Sequence, residues 1–197
     1  MTQRVVFLCG SPRGKRSASL HTARYLTRFL DCNYEFVDVA RAKLSTDPSE
    51  AGPAFLKIVE KMQTADTVVW TFGAWVLFVP VQMQYLLDKL FAQGYDFSGK
   101  IAAAVMTSAR AHDDFILDRV RFVSEQLGFG YIGDVSAVGN PFFGYVDDEE
   151  ATENSCRVLA GQINRALTDG YIPRTRNWSD GCWQHSSSKL RERARSV

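Results

Sequence analysis

A single alternation recurs along most of this chain: a short apolar run, then a longer stretch whose apolar residues fall at helical spacing. Val5 to Cys9 is the first such run, and it empties into Gly10-Ser11-Pro12. Ser19 to Leu30 follows, with Leu20, Ala23, Leu26, Phe29 and Leu30 on one stripe. Tyr34–Val39, Thr67–Phe72, Ile101–Thr107 and Tyr131–Val138 read as further strands. Ala51–Thr64, Pro80–Phe91, Asp113–Leu127 and Asp148–Leu167 read as further helices. Five strand–helix units of this length predict an α/β chain in three layers, a parallel sheet with helices on both faces joined by right-handed crossovers. Five strands favour the order 2-1-3-4-5, and a ligand then belongs beyond the carboxyl ends of the strands. The loops to consider are Gly10–Ser19, Gly73–Val79 and Ser108–His112.

Length and charge bound the rest. At 197 residues with 46% hydrophobic side chains, the chain can bury a core without staples. Residues 1–170 are expected to form the folded domain and 171–197 an extension. That extension holds Arg174, Arg176, Lys189, Arg191, Arg193 and Arg195 against Asp180 and Glu192, a net of +4, which leaves the body at −3. Such a tail suits a partner-packed or solvated extension rather than nucleic acid. Cys9, Cys32, Cys156 and Cys182 show no metal-ligand or C-x-x-C spacing. The longest charge-free run, Thr67 to Leu87, is broken by Gln, Thr, Gly and Pro, and no signal-like segment opens the chain. A cytoplasmic chain with no membrane span and no metal is the expectation.

Cys9 to Ser19 carries the most chemistry. It leaves a strand, enters a helix, and gathers Ser11, Ser17 and Ser19 with Gly10, Gly14 and the cations Arg13, Lys15 and Arg16. Backbone N–H groups at a helix start, hydroxyls and a guanidinium together make an anion site, most naturally for phosphate. Spacing excludes the commoner phosphate loops. A Walker A loop needs four residues between its glycines, and Gly10 and Gly14 enclose three. The Gly-x-Gly-x-x-Gly fingerprint fails at Ser11 and Pro12. A phosphatase thiolate at Cys9 would want its arginine at the position of Lys15.

These residues resemble the NAD(P)H-dependent FMN reductase family of the flavodoxin-like fold. That family opens with a strand, Gly-Ser-x-Arg and a Ser-x-Ser step into the first helix, matched by Gly10, Ser11, Arg13, Ser17 and Ser19. The resemblance resumes at Ala65-Asp66, Val79-Pro80-Val81-Gln82-Met83 and Leu87-Asp88-Lys89, and so covers the first 110 residues or so. The family's Ser-Pro-x-Tyr falls on Phe72-Gly73-Ala74-Trp75, keeping an aromatic residue in last place. The loop after the fourth strand, glycine-rich in the family, is Thr107-Ser108-Ala109-Arg110-Ala111-His112 here.

The resemblance implies an oxidoreductase that passes a hydride from NAD(P)H through FMN to a small acceptor, with no side chain required as catalytic acid or base. It assigns Ser11, Arg13, Ser17, Ala18 and Ser19 to the FMN phosphate. It gives Gly73, Ala74, Trp75 and Val76 to the ring, with Thr107 and Ser108 on its other edge. Two alternatives stand beside it: a one-electron carrier, and a flavin-free protein acting through a partner. The first sits poorly with Arg13 and a weakly charged body, while the glycine-poor fourth loop is the main support of the second. A homodimer is expected, since Pro80–Phe91 presents Val81, Met83, Tyr85, Leu86, Leu87, Leu90 and Phe91, more apolar surface than one stripe holds. Arg110 and His112 are candidates for a flavin edge or a nicotinamide phosphate, and equally for a salt bridge to Asp113 or Asp114. Gly139 to Tyr145 is an aromatic loop at the same end of the sheet.

Overall fold

The computed structural model describes residues 3–74, 78–109, 114–139, 146–170 and 172. Five strands form one parallel sheet: β1 Arg4–Cys9, β2 Asn33–Asp38, β3 Thr67–Gly73, β4 Ile101–Ser108 and β5 Gly130–Val138. Their order is β2-β1-β3-β4-β5, as the sequence predicts. The helices are α1 Ala18–Leu26, α2 Pro53–Thr64, α3 Val81–Ala92, α4 Asp114–Gln126 and α5 Glu149–Asp169.

Strand side chains alternate between two cores. Val6, Leu8, Val68, Trp70, Phe72, Ala102, Ala104 and Met106 meet α2, α3 and α4 on one face. Val5, Phe7, Val69, Ala103, Val105 and Val135 meet α1 and α5 on the other. Burial on both faces is why the central strands β1, β3 and β4 read as apolar runs, whereas the edge strands β2 and β5 are only partly buried.

Local chemistry adjusts the predicted bounds. The first helix ends at Leu26 and tightens into a 3-10 turn, Thr27–Phe29. Thr27 Oγ1 donates back to Arg24 O (2.8 Å), a bond that competes with regular helix. Pro53 opens α2 because a first-turn residue needs no N–H partner. Asp148 caps α5 by accepting from Ala151 N at 2.9 Å, and Glu149 and Glu150 sit at its positive end.

Two buried polar groups hold the α2–α3–α4 side together. Lys89, 1% exposed, donates from Nζ to Glu50 O (2.8 Å) and to Asp47 O, tying α3 to the loop before α2. Trp70 donates from Nε1 to Ser124 Oγ (2.9 Å), which itself donates to Val120 O (2.7 Å).

Ser124→Ala should therefore cost about 1–3 kcal/mol, because the indole N–H is left unpaired in the core. Urea unfolding should show a lower midpoint at unchanged slope. Combining it with Trp70→Phe should cost less than the sum of the two single changes, since neither partner then remains.

Candidate functional site

The carboxyl ends of β1, β3 and β4 are locked to their neighbours by backbone bonds that continue past the strands. Gly10 N donates to Thr71 O (2.8 Å), Val39 N and Ala40 N to Cys9 O (2.9 and 3.1 Å), Ala74 N to Thr107 O (2.8 Å), and Gly139 N to Ser108 O (2.7 Å). The loops that leave these ends therefore start from a rigid edge.

After β1 the chain curls twice before α1. Gly14 N donates to Ser11 O (3.2 Å), Arg16 N to Arg13 O (3.2 Å) and Ser17 N to Gly14 O (3.0 Å). His21 Nε2 lies 2.8 Å from Lys15 O and closes the curl onto α1. Gly10 packs closely on α3: a Cβ there would lie 2.8 Å from Met83 Cε and 3.1 Å from Met83 Cβ, so a larger residue would have to push the Met83 side chain aside. Gly14 has φ +53°, a left-handed conformation that glycine adopts without strain.

Ser17 occupies the N-cap position of α1, yet its hydroxyl makes no capping bond. It lies instead 2.8 Å from Ser19 Oγ, and both serines are buried, at 3% and 0% exposure. The first-turn N–H groups of α1 thus have no side-chain cap from Ser17, and the first turn holds no acidic residue. Ser11 is buried nearby, Arg13 is half-buried, and Lys15 and Arg16 are exposed. Two buried hydroxyls at a positive helix end, under a rim of cations, fit a phosphate monoester such as that of FMN.

At the neighbouring strand ends Gly73 pairs with Thr107 in register. Gly73 and Ala74 are half-buried, while Thr107 and Ser108 are buried. Trp75 and Val76 lie outside the described residues, as do Arg110, His112, residues 140–145 and the tail from 173 onward. The expected phosphate group is thus brought together at Ser17 and Ser19, and the expected ring group at Gly73, Ala74, Thr107 and Ser108.

A cavity of about 810 Å³ opens beside this edge. Its described lining takes in Pro12, Phe78, Val79, Pro80, Phe115 and Ile116, with Arg119 as the cation, and none of the expected serines. Sequence reasoning missed Phe115 and Arg119, because the start of α4 shows only an ordinary helical stripe. It also missed Arg41, whose guanidinium lies against Gly14.

Cys9 is half-buried at the end of β1. Burial, then the Asp38 carboxylate, push its thiol up to about 12, and Arg24 only partly offsets them. A thiol so protonated is no nucleophile at neutral pH. Among the described residues no cluster of His, Cys, Asp or Glu could hold a metal ion, and no helix is long and apolar enough to cross a membrane.

Known proteins share this fold. No curated protein sequence matches the chain. Among solved structures, RosB with bound 8-demethyl-8-formylriboflavin-5'-phosphate superposes with a TM-score of 0.67 at 14% identity, over 97% of this chain and 87% of that one. The NADH:FMN oxidoreductase EMOB, in its apo form, gives 0.66 at 18% identity, over 91% and 100%. An FMN-dependent NADH-azoreductase from Bacillus anthracis, in complex with FMN, gives 0.58 at 13% identity, over 82% and 99%. At such identities the likeness establishes the flavodoxin-like fold. The model of the NADPH-dependent FMN reductase family matches residues 3–142. The chain therefore belongs to the NADPH-dependent FMN reductases and is an FMN-dependent oxidoreductase with a reduced nicotinamide as its donor.

Proposed function

We propose that this oxidoreductase holds the FMN phosphate on Ser11, Arg13, Ser17, Ala18 and Ser19. In this reading the ring lies against Gly73, Ala74, Trp75 and Val76, with Thr107 and Ser108 on its other edge. The acceptor is a small molecule: a quinone, free flavin, azo or nitro compound, or a metal ion. The observation that carries the reading is the buried Ser17–Ser19 hydroxyl pair at an α1 end that Ser17 leaves uncapped.

Bound FMN supplies the two-electron chemistry between nicotinamide and acceptor. The chain's own residues bind, orient and exclude water. The loop hydroxyls and first-turn N–H groups fix the phosphate end. The rigid edge at Gly73 and Thr107, held by the bond from Ala74 N to Thr107 O, fixes the ring end. Pro12, Phe78, Val79 and Phe115 offer a flat acceptor an apolar wall. FMN suits the site better than FAD, because the loop receives a terminal phosphate and no dinucleotide fingerprint is present to hold an adenosine. Membership in a reductase family favours this enzyme over the electron carrier and the flavin-free partner binder.

A cytoplasmic homodimer belongs to the same reading, though the case for the dimer changes. Of the α3 residues expected to be surplus, Met83, Leu86, Leu87 and Leu90 are consumed by the core. The apolar surface that remains is Phe78, Val81 and Phe91, joined by Phe115 and Phe122 of α4. Of these, Phe78, Val81 and Phe115 line the cavity, so a two-fold contact there would place the acceptor site near the subunit boundary.

Arg13→Ala removes a charged hydrogen bond of roughly 1.5–3 kcal/mol and should weaken FMN about ten-fold or more, as read by quenching of flavin fluorescence. Unchanged affinity would refute the loop assignment. Cys9→Ala should leave NADPH turnover largely intact, and the native thiol should resist iodoacetamide at pH 8. Loss of turnover with FMN still bound would demand a thiol mechanism. Light scattering at micromolar concentration should give a dimer mass for the full chain. A monomer mass would exclude it, and a version ending at Gly170 would tell whether the tail holds the two copies together.

A further inference from the structure

Arg41 lies on the loop after β2, about thirty residues from the phosphate loop in sequence but against it in space. A Cβ placed on Gly14 would lie 2.8 Å from Arg41 Nη2, 3.3 Å from Cζ and 3.8 Å from Nη1. The guanidinium thus covers the glycine of the Gly14–Arg16 turn, the same turn that delivers Ser17 to the start of α1. Asp38 lies on its other side: Arg41 N donates to Asp38 Oδ1 (3.1 Å), and Arg41 Nε lies 3.7 Å from Asp38 Oδ2. The carboxylate is thus near Nε, while Nη2 is the guanidinium atom nearest the loop glycine.

Stability gives little reason for this arrangement. The ion pair is exposed, with 70% and 45% of the two side chains accessible, and pairs of that kind contribute little. The loop already carries Arg13, Lys15 and Arg16, so a guanidinium laid against it adds to positive charge where an anion would bind. A phosphate monoester near full ionisation, with three acceptor oxygens, accommodates a second fork beside Arg13.

We propose that Arg41 is a second arginine on the phosphate of the flavin held by residues 11–19, oriented by Asp38. This rests on the reading of that loop as the phosphate site. It predicts that Arg41 distinguishes FMN from riboflavin, which shares the ring and lacks the phosphate.

The test is binding of FMN and of riboflavin to the full chain stripped of flavin, followed by fluorescence quenching. Wild type is compared with Arg41→Ala, Arg41→Lys and Arg13→Ala. Arg41→Ala should weaken FMN about ten-fold and riboflavin by less than about two-fold, with Arg41→Lys recovering part of the loss because charge is kept and the fork is not. If Arg41→Ala leaves the FMN-to-riboflavin ratio at wild type while Arg13→Ala lowers it, Arg41 is a surface residue and the proposal fails with the loop assignment intact. If Arg41→Ala weakens both flavins equally, it only shapes the loop, which also overturns direct contact. If Arg13→Ala leaves the ratio unchanged as well, the loop does not hold the phosphate, and both readings fall together.

Discussion

Burial of the sheet on both faces is the constraint from which the rest follows. Every residue of β4 is buried, as are Thr67 to Phe72 of β3, so successive side chains must enter opposite cores. Slipping either strand by one residue would send Trp70 and Phe72 toward α1 and α5, and Val69 toward α2, α3 and α4. The registers between β1, β3 and β4 are therefore strongly specified. What leaves this sandwich is the set of strand ends, where the backbone bonds of Gly10, Ala74 and Gly139 carry the order one residue further. A ligand site at such an edge inherits its rigidity without any dedicated scaffold.

That same constraint explains what could be read in advance. Apolar runs such as Thr67–Phe72 and Ile101–Thr107 announce doubly covered strands directly, and five strands in all with intervening helical stripes leave few topologies. The loop proposed to hold the phosphate stands out in the sequence because hydroxyls, glycines and cations crowd into the ten residues Gly10 to Ser19, between a strand and a helix. Helix ends were less legible, because they are decided by single side chains: the Thr27 hydroxyl shortens α1, and the Asp148 carboxylate sets the start of α5. Contributions that cross the sequence were not legible at all. Neither the meeting of Arg41 with Gly14 nor that of Lys89 with Glu50 O leaves a local pattern, since each depends on where two loops arrive.

Lys89 illustrates how such a contribution works. A cation that is 1% exposed would ordinarily be costly, and its environment supplies backbone carbonyls instead of a carboxylate. Carbonyl dipoles solvate the ammonium while fixing residues 47–50, an otherwise irregular stretch leading into α2. Asp47 adds to this: its carboxylate accepts from Ser49 N (2.8 Å) and Ser49 Oγ (2.7 Å), which, with Lys89 nearby, holds its carboxyl below the usual range. The loop is thus ordered from inside by α3, the helix whose first turn also borders the cavity.

Helix α3 carries two demands on one surface. Met83, Leu86, Leu87 and Leu90 satisfy the core, and Met83 does so against Gly10, which places the helix directly on the loop that follows β1. Its first turn keeps Val81 in solvent beside Phe78, and both line the cavity together with Phe115 of α4. A helix packed this closely against the loop cannot retreat to hide those residues, because moving it would open the contact at Gly10. The apolar rim is therefore a consequence of the same close approach that shapes the start of the loop after β1. On the proposed reading, an acceptor and a second copy of the chain would meet the molecule on neighbouring parts of one surface.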